Sequence, residues 1–208
     1  MSGEKTKTAT RPYRKRRRAE QEEQTRLRIT EAAMELHRSI GPARTTISAV
    51  AERAGVQRAT LYRHFADEEA VFAACSSHWA ALNPRPDLTV WSEIDDPDER
   101  LRVALGELYR WYAHTEQMLA NVIRDRPLVP ALRRPAERFL RWYEDAGEVL
   151  MRGRPTRGAR RRRTKAAIGH ALAFETWASL AREQGLSERD AIELMAGLIA
   201  AAGAARDH

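Results

Sequence analysis

A short run of residues ending at His64 has the side chains needed to bind a polyanion, and it contains no carboxylate. Its outward members are donors, acceptors or small apolar groups, namely Gln57, Arg58, Ala59, Thr60, Tyr62, Arg63 and His64. An arginine can donate two hydrogen bonds to guanine O6 and N7, and a small apolar side chain can contact a thymine methyl. Hydroxyl and imidazole groups can donate to phosphate oxygens, which fixes register without reading sequence.

Two short helices are needed to present these side chains on one surface. The first is predicted from apolar residues at the spacing of one buried helix face, namely Ile47, Val50, Ala51 and Ala54. The two preceding threonines offer an N-cap, and Gly55 can end the helix with a positive φ. The second helix begins near Gln57, and Leu61 and Phe65 anchor it. This pattern is typical of a helix-turn-helix; the alternative is a helical hairpin with a solvated polar face.

The stretch AGVQRATLYRHF, followed by ADEEAVF, resembles the DNA-binding signature of TetR-family transcriptional regulators, with the motif covering residues 26–72. The resemblance implies contacts to bases or adjacent sugar-phosphate by Arg58, Ala59, Tyr62 and Arg63. It also implies that the DNA backbone is held by Thr46, Thr60 and His64. Gln57 belongs to the same predicted surface.

The sequence departs from the family pattern at two positions. Glycine is frequent in the family where Ala59 stands, and lysine is frequent where this chain has Glu68. A carboxylate cannot replace an ammonium group at a phosphate, so Glu68 is not a predicted DNA contact. It suits a helix N-terminus, with Asp67 as the predicted cap.

The positive charge of the chain is concentrated at its beginning. Residues 1–18 hold eight Lys or Arg and one acid, Glu4, so the net charge of this segment is +7. That equals the net charge of all 208 residues. Low apolar content and like charge predict a disordered basic arm over residues 1–19. Arg16, Arg17 and Arg18 are its predicted DNA contacts, along phosphates or in a minor groove. The alternative is a solvated tail that adds only nonspecific attraction.

Residues 20–66 are predicted to form a helix-turn-helix DNA-binding domain of three helices. The first runs from about Glu20 to Ser39, with a buried stripe of Ile29, Ala32, Ala33 and Leu36. Gly41 and Pro42 close it. It must pack behind the other two, because short helices alone bury too little surface to be stable.

Residues 67–208 are predicted to form a helical effector-binding and dimerisation domain, so the chain is all-α with about nine helices in total. No segment alternates with the period of a strand. Helices are predicted over about 67–82, 98–114, from Thr115, and over 132–151, 164–183 and 187–205. The basic stretch 152–165 is predicted to be a flexible, solvated loop; the alternative is a second contact to nucleic acid or an acidic partner.

The last two helices predict a homodimer. The helix over 164–183 is apolar around most of its circumference, so it has to be covered on more than one side. Small residues near Gly197 permit close approach of a partner helix. The resemblance implies an intersubunit four-helix bundle, and a two-fold dimer would read a palindromic operator. The alternative is a monomer that covers both faces itself.

Large rings in the second half predict a site for a small lipophilic or aromatic effector. The candidate lining residues are Trp91, Tyr109, Trp111, Tyr112, Met118, Trp142, Tyr143, His170, Phe174 and Trp177. So many rings are difficult to close-pack without leaving space, and Trp and Tyr add polar tips. Glu107 or Glu175 would suit a cationic ligand. The alternatives are an ordinary aromatic core, and a regulator with a sealed dimerisation core and no effector.

The sequence lacks the residue patterns that other classes of function require. The histidines show neither His-Glu-x-x-His nor Glu-x-x-His spacing, and the chain has no Gly-rich phosphate loop and no nucleophile elbow, so neither an enzyme nor a cofactor or metal is expected. Cys75, the single cysteine, is expected to be a small buried hydrophobe rather than a redox-sensing thiol. The polar N-terminus and the lack of a long apolar run predict a soluble, cytoplasmic protein with no membrane partner. Repression is the mode that the family resemblance implies.

Overall fold

The computed structural model describes residues 10–154 and 157–204, and within them the chain is all-α, with ten α-helices and no strand. The helices are α1 (Thr10–Ser39), α2 (Ile47–Arg53), α3 (Arg58–His64), α4 (Glu68–Leu82), α5 (Leu88–Ser92), α6 (Pro97–Asp125), α7 (Arg133–Met151), α8 (Gly158–Leu172), α9 (Phe174–Ala178) and α10 (Glu188–Ala204). Short 3₁₀ turns occupy Pro42–Arg44 and Pro130–Leu132, and a π-helical turn occupies Ser179–Glu183. The all-α fold class predicted from the sequence is confirmed.

The chain divides into two compact units. The N-terminal unit contains residues 10–82 together with Arg124–Leu132, and the C-terminal unit contains residues 83–123 and 133–204. The sequence predicts a boundary after residue 66, whereas the structure groups α4 with the N-terminal helices. The reason is that α4 packs against α1 and buries Val71, Phe72 and Cys75.

The core of the N-terminal unit is the apolar face predicted for α1, α2 and α3. Ile29 and Ala33 of α1 are fully buried against Val50 of α2, and Leu61 and Phe65 complete the cluster. The segment Arg124–Leu132 joins this unit, and the Asp125 carboxylate accepts a 3.0 Å hydrogen bond from the Ala43 backbone N–H. That bond fixes the 3₁₀ turn that leads into α2.

The first helix is longer than its sequence pattern predicts. It begins at Thr10 instead of near Glu20, so the prediction of a disordered arm is wrong for residues 10–19; residues 1–9 lie outside the described part of the chain. Ion pairs at i,i+4 support the extension, from Arg16 to Glu20 at 2.9 Å and from Arg18 to Glu22 at 3.3 Å.

The predicted helix boundary between residues 114 and 115 is absent, because α6 continues from Pro97 to Asp125. The Thr115 hydroxyl donates to the Trp111 carbonyl oxygen at 2.6 Å, one turn earlier, and caps nothing. A threonine inside a helix satisfies its hydroxyl in this way. No glycine or proline stands nearby to stop the helix.

The predicted helix over 164–183 differs from the structure at its start and in the middle, and it ends at Glu183 in the π-helical turn. α8 begins at Gly158, so residues 158–165 are helical and not a loop; Pro155 and Thr156 lie outside the described residues. The helix breaks at Ala173, which has an extended backbone with ψ 138°. The Tyr109 and Tyr112 hydroxyls donate to the carbonyls of Ala171 and Leu172, at 3.0 and 2.5 Å. In an uninterrupted helix those carbonyls would accept from N–H groups four residues later.

Candidate DNA interface and effector site

Interactions between residues close in sequence place α2 and α3 where the sequence predicts them. The Thr46 hydroxyl oxygen caps α2 by accepting from the Ala49 backbone N–H at 3.1 Å. Gly55 takes a φ of 65°, which lets the chain turn within a few residues, and Gln57 occupies the N-cap position of α3. Asp67 caps α4, since its side chain accepts from the Ala70 N–H at 2.7 Å.

The predicted DNA-binding residues of α3 share one surface. Leu61 and Phe65 turn into the core, whereas Gln57, Arg58, Ala59, Tyr62 and Arg63 are exposed and Thr60 and His64 are half-buried. Thr46 is exposed at the start of α2. Within the described residues neither Arg58 nor Arg63 forms an ion pair, so both guanidinium groups are available to an anionic partner. The geometry suits duplex DNA; the individual contacts stay predictions.

Arg26 positions α3, and the sequence reasoning did not find it. Its guanidinium donates to the His64 backbone oxygen at 2.6 Å and lies 4.2 Å from the centre of the Phe65 ring. The signal was present in the sequence, because Arg26 precedes Ile29 and Ala33 by three and seven residues and therefore shares their helix face.

The predicted arm contacts lie on α1. Arg16, Arg17 and Arg18 are all exposed, and Arg17 stacks near Tyr13, with its guanidinium carbon 5.8 Å from the ring centre. Arg16 and Arg18 carry the exposed ion pairs described above. Such pairs contribute at most about 1 kcal/mol, so phosphate groups could replace their carboxylates at little cost.

Eight of the ten predicted effector residues, all except Met118 and His170, form an aromatic cluster in the C-terminal unit. Seven of the ten are buried, namely Trp91, Tyr109, Trp111, Tyr112, Met118, Phe174 and Trp177. Trp142 and Tyr143 are half-buried, and their ring centres are 5.5 Å apart. Tyr112 is central, with ring centres 5.4 Å from Phe174 and 5.8 Å from Trp177. His170 is exposed and hydrogen-bonds to Thr176, outside these ring contacts.

The polar tips of the cluster are bonded within the protein. Tyr112 shares a short hydrogen bond with the Tyr143 hydroxyl in addition to its bond to Leu172, and burial raises the pKa of both tyrosines. The Trp91 indole N–H donates to Glu107 at 2.7 Å, while Glu175 is exposed. The two carboxylates proposed for a cationic ligand are therefore a partner of Trp91 and a surface group.

Cys75 is a buried residue of the N-terminal core, and burial raises the pKa of its thiol to about 12. A thiol that stays protonated is a poor nucleophile, so the structure favours the packing role over redox sensing. In the described part of the chain, no group of three or more His, Cys, Asp or Glu residues could hold a metal ion. No described helix is long and apolar enough to cross a bilayer.

Comparisons with known proteins agree with this geometry. Residues 29–75 match the family model of bacterial regulatory proteins, tetR family. A TetR-like transcriptional regulator from Rhodococcus sp. RHA1 is similar in structure, with a TM-score of 0.64 and 17% identity over 88% of this chain and 97% of that one. A search of curated proteins finds no match.

Two further structures share the fold. One is NalD, the secondary repressor of the MexAB-OprM multidrug efflux pump in Pseudomonas aeruginosa, with a TM-score of 0.56 and 19% identity over 88% of this chain and 96% of that one. The other is the regulator FadR from Bacillus subtilis in complex with stearoyl-CoA, with a TM-score of 0.56 and 18% identity over 87% and 99%. The helix-turn-helix region, residues 29–75, therefore matches the tetR family of bacterial regulatory proteins, and the chain shares its fold with solved TetR-type transcriptional regulators.

Proposed function

We propose that the protein is a repressor that binds a palindromic operator as a homodimer and is released by a small lipophilic ligand. The observation that carries the DNA-binding half of this proposal is the surface of α3, where Arg58, Tyr62 and Arg63 are exposed on a helix anchored by Leu61 and Phe65. One helix of seven residues contacts only a few base pairs. Specific binding therefore requires two copies, spaced by about one helical turn of DNA, roughly 34 Å, or a multiple of it.

An apolar stripe on α10 supports the dimer. Leu194 and Leu198 are 43% and 51% exposed, and Gly197 and Ala201 stand beside them at helical spacing. Apart from its chain neighbours and the backbone of its own helix, no atom of the described residues lies within 4 Å of the place where a Cβ would stand on Gly197. A single chain leaves this stripe in water, whereas a second copy would cover it.

α8 extends this surface, because it packs against α10 and presents small residues of its own. Ala166 and Gly169 are exposed, and Gly169 also has open space beside it. Small residues let two helix backbones approach closely. A pair of helices from each protomer would form the four-helix interface that the family resemblance implies.

Ligand release is supported by the aromatic cluster, which has half-buried rings at one edge. Among the similar structures, NalD is a repressor and FadR is seen with stearoyl-CoA, so this fold accommodates both repression and a lipophilic ligand. A ligand that binds one arrangement of the dimer better than another would change the separation of the two α3 helices.

A regulator without an effector is the second candidate. Its supporting observation is that the Tyr109 and Tyr112 hydroxyls already donate to backbone carbonyls, as in a closed core. The two candidates differ in whether any lipophilic compound stabilises the folded protein.

Selection of DNA from a random pool with the purified protein tests the first half of the proposal. We expect a palindrome, and we expect a dimer by sedimentation at the concentrations used. A monomer that binds selected and random oligonucleotides equally well would contradict both. Titration of the selected complex with lipophilic compounds then tests release, with thermal melting as the measure of ligand binding.

A further inference from the structure

We infer that Arg85 binds the acidic group of a lipophilic anion whose apolar body packs against the aromatic cluster of the C-terminal unit. The acidic group is a carboxylate or a phosphate ester. This inference rests on the proposed ligand-responsive function and names the chemical class of its ligand.

Arg85 is held at the half-buried edge of the cluster. Its guanidinium carbon lies 5.6 Å from the centre of the Phe139 ring and 5.5 Å from that of Trp142, both on α7. Pro84 and Pro86 flank it, and a residue before proline is restricted to extended backbone. The side chain is therefore fixed by two rings and a stiff backbone.

The Arg85 guanidinium has more N–H donors than the described residues accept from. One N–H donates to the Arg138 carbonyl oxygen at 3.4 Å, and an arginine side chain has five N–H donors. No carboxylate among the described residues forms an ion pair with Arg85. Burial and the nearby Arg138 lower the pKa of Arg85, and only the Tyr143 phenol opposes them. A partly desolvated cation without a counterion is unfavourable, and a bound anion would relieve it.

Another stacked arginine of the same unit shows the contrast. The guanidinium carbon of Arg182 lies 5.0 Å from the centre of the Trp177 ring, and this arginine also pairs with the Glu116 carboxylate at 2.9 Å. Arg100 forms no ion pair among the described residues, but it is buried and donates to two backbone carbonyls. Arg85 combines a stacked guanidinium and partial exposure with the lack of a carboxylate partner among the described residues. An acidic group from outside the chain can therefore bind it.

The rings around Arg85 define the rest of the ligand. Phe139 and Tyr143 pack edge to face, with centres 4.8 Å apart, and Trp142 contacts Trp91 of the buried interior at 5.8 Å. Aromatic surface of this kind suits an acyl chain or a fused ring system. The positive charge at its edge disfavours a cationic ligand and favours an anion over a neutral molecule of the same shape.

Probes of equal chain length test the charge preference directly. Decanoate, decyl phosphate, decanol and decylammonium would be titrated below their micelle concentrations against the full-length protein, with the thermal midpoint and the quenching of tryptophan fluorescence as readouts. We expect decanoate or decyl phosphate to bind more tightly than decanol, and decylammonium to bind most weakly. The first two probes distinguish a carboxylate from a phosphate.

Substitution of Arg85 then localises the preference. Arg85→Gln should weaken binding of the preferred anion about 10-fold or more and leave decanol unchanged, because charge-assisted hydrogen bonds are removed while the apolar surface remains. Arg85→Lys keeps the charge without the planar fork and should weaken binding less; it also serves if Arg85→Gln fails to fold. Arg141→Gln removes one charge from an exposed site on α7 and should change nothing.

Each other outcome is informative. Equal binding of decanol and decanoate, or an anion affinity that Arg85→Gln and Arg141→Gln change alike, would overturn the role of Arg85 and leave the ligand-responsive function standing. Failure of every probe to bind would overturn both. Binding to the selected DNA, measured on the same preparations, stays a separate test of the regulator itself.

Discussion

The Arg26 guanidinium donates a 2.6 Å hydrogen bond to the His64 backbone oxygen, so a residue of α1 holds the last turn of α3. Carbonyls at a helix C-terminus lack partners within the helix, and a charged donor there contributes roughly 1.5–3 kcal/mol. We expect Arg26→Gln to lower the free energy of unfolding by a similar amount in urea. We also expect it to weaken DNA binding about equally on all sequences, because it orients α3 without touching a base.

Arg28→Gln is the control for that experiment, since Arg28 is exposed on the same helix and has only a 3.5 Å contact with Thr25. A change of base preference in Arg26→Gln would show that Arg26 itself reads DNA.

Arg58 is expected to read a base. Arg58→Ala should cost roughly 1–3 kcal/mol of binding free energy and relax the preference at one base pair in each half-site. The measurement is binding to the selected operator and to its single-base variants. An equal loss on every sequence would mean that Arg58 touches only phosphate. Arg141→Ala removes the same charge from the C-terminal unit and should leave the preference intact.

The basic turns of α1 are expected to set part of the salt dependence. Replacing Arg16, Arg17 and Arg18 with Gln should reduce the slope of log affinity against log salt by about 0.9 for each phosphate that the protein no longer neutralises. Glu20→Gln with Glu22→Gln frees Arg16 and Arg18 from their ion pairs, so this variant should bind DNA more tightly at low salt. An unchanged slope in the first variant would show that these arginines do not contact DNA phosphates.

The α10 stripe is expected to hold the dimer together. Leu198→Glu places a charge on the stripe in each protomer, so sedimentation should show a shift to monomer and operator affinity should fall. Leu140→Glu is a matched control, because Leu140 is 49% exposed on α7, outside the stripe. Dissociation caused equally by both substitutions would point to a general loss of structure.

The buried His37 is expected to make stability depend on pH. Burial lowers the pKa of His37 from 6.5 to about 4, although Asp125 acts in the opposite direction. Between these values the unfolded chain binds a proton that the folded chain does not. Stability is therefore lost as pH falls from about 6.5 to about 4, by up to about 3 kcal/mol from this group.

His37→Asn tests this dependence, since its free energy of unfolding should fall less between pH 7 and pH 4.5 than that of the parent protein. Its effect at neutral pH measures the loss of the buried contacts of the imidazole, which include Phe72, with ring centres 4.6 Å apart, and the Cys75 sulfur at 3.4 Å. Identical pH profiles would show that His37 does not titrate in this range. His170→Asn, at an exposed histidine, is the control.

The N-terminal helices could be predicted from the sequence because their signals are local. The N-cap of α2, the positive φ of Gly55 and the burial of Leu61 and Phe65 each follow from residue type and spacing within a few positions. The start of α4 followed in the same way from Asp67.

One misplaced boundary, the break between α8 and α9, depends on contacts between distant parts of the chain. The break at Ala173 follows from tyrosines some sixty residues earlier, which have no signature near the break. The same holds for the role proposed for Arg85, which depends on rings of α7 and on the absence of a carboxylate partner in the described part of the chain. Spacing along one helix reports on that helix alone.

The Tyr112 hydroxyl bonds at once to the Tyr143 hydroxyl and to the last carbonyl of α8. A molecule that took over this hydroxyl would deprive the Leu172 carbonyl of its donor, and the end of α8 would have to find a replacement or shift. α8 also carries part of the proposed contact between protomers. Ligand binding inside one subunit and the pairing of two subunits would therefore be thermodynamically linked through the Tyr112 hydroxyl.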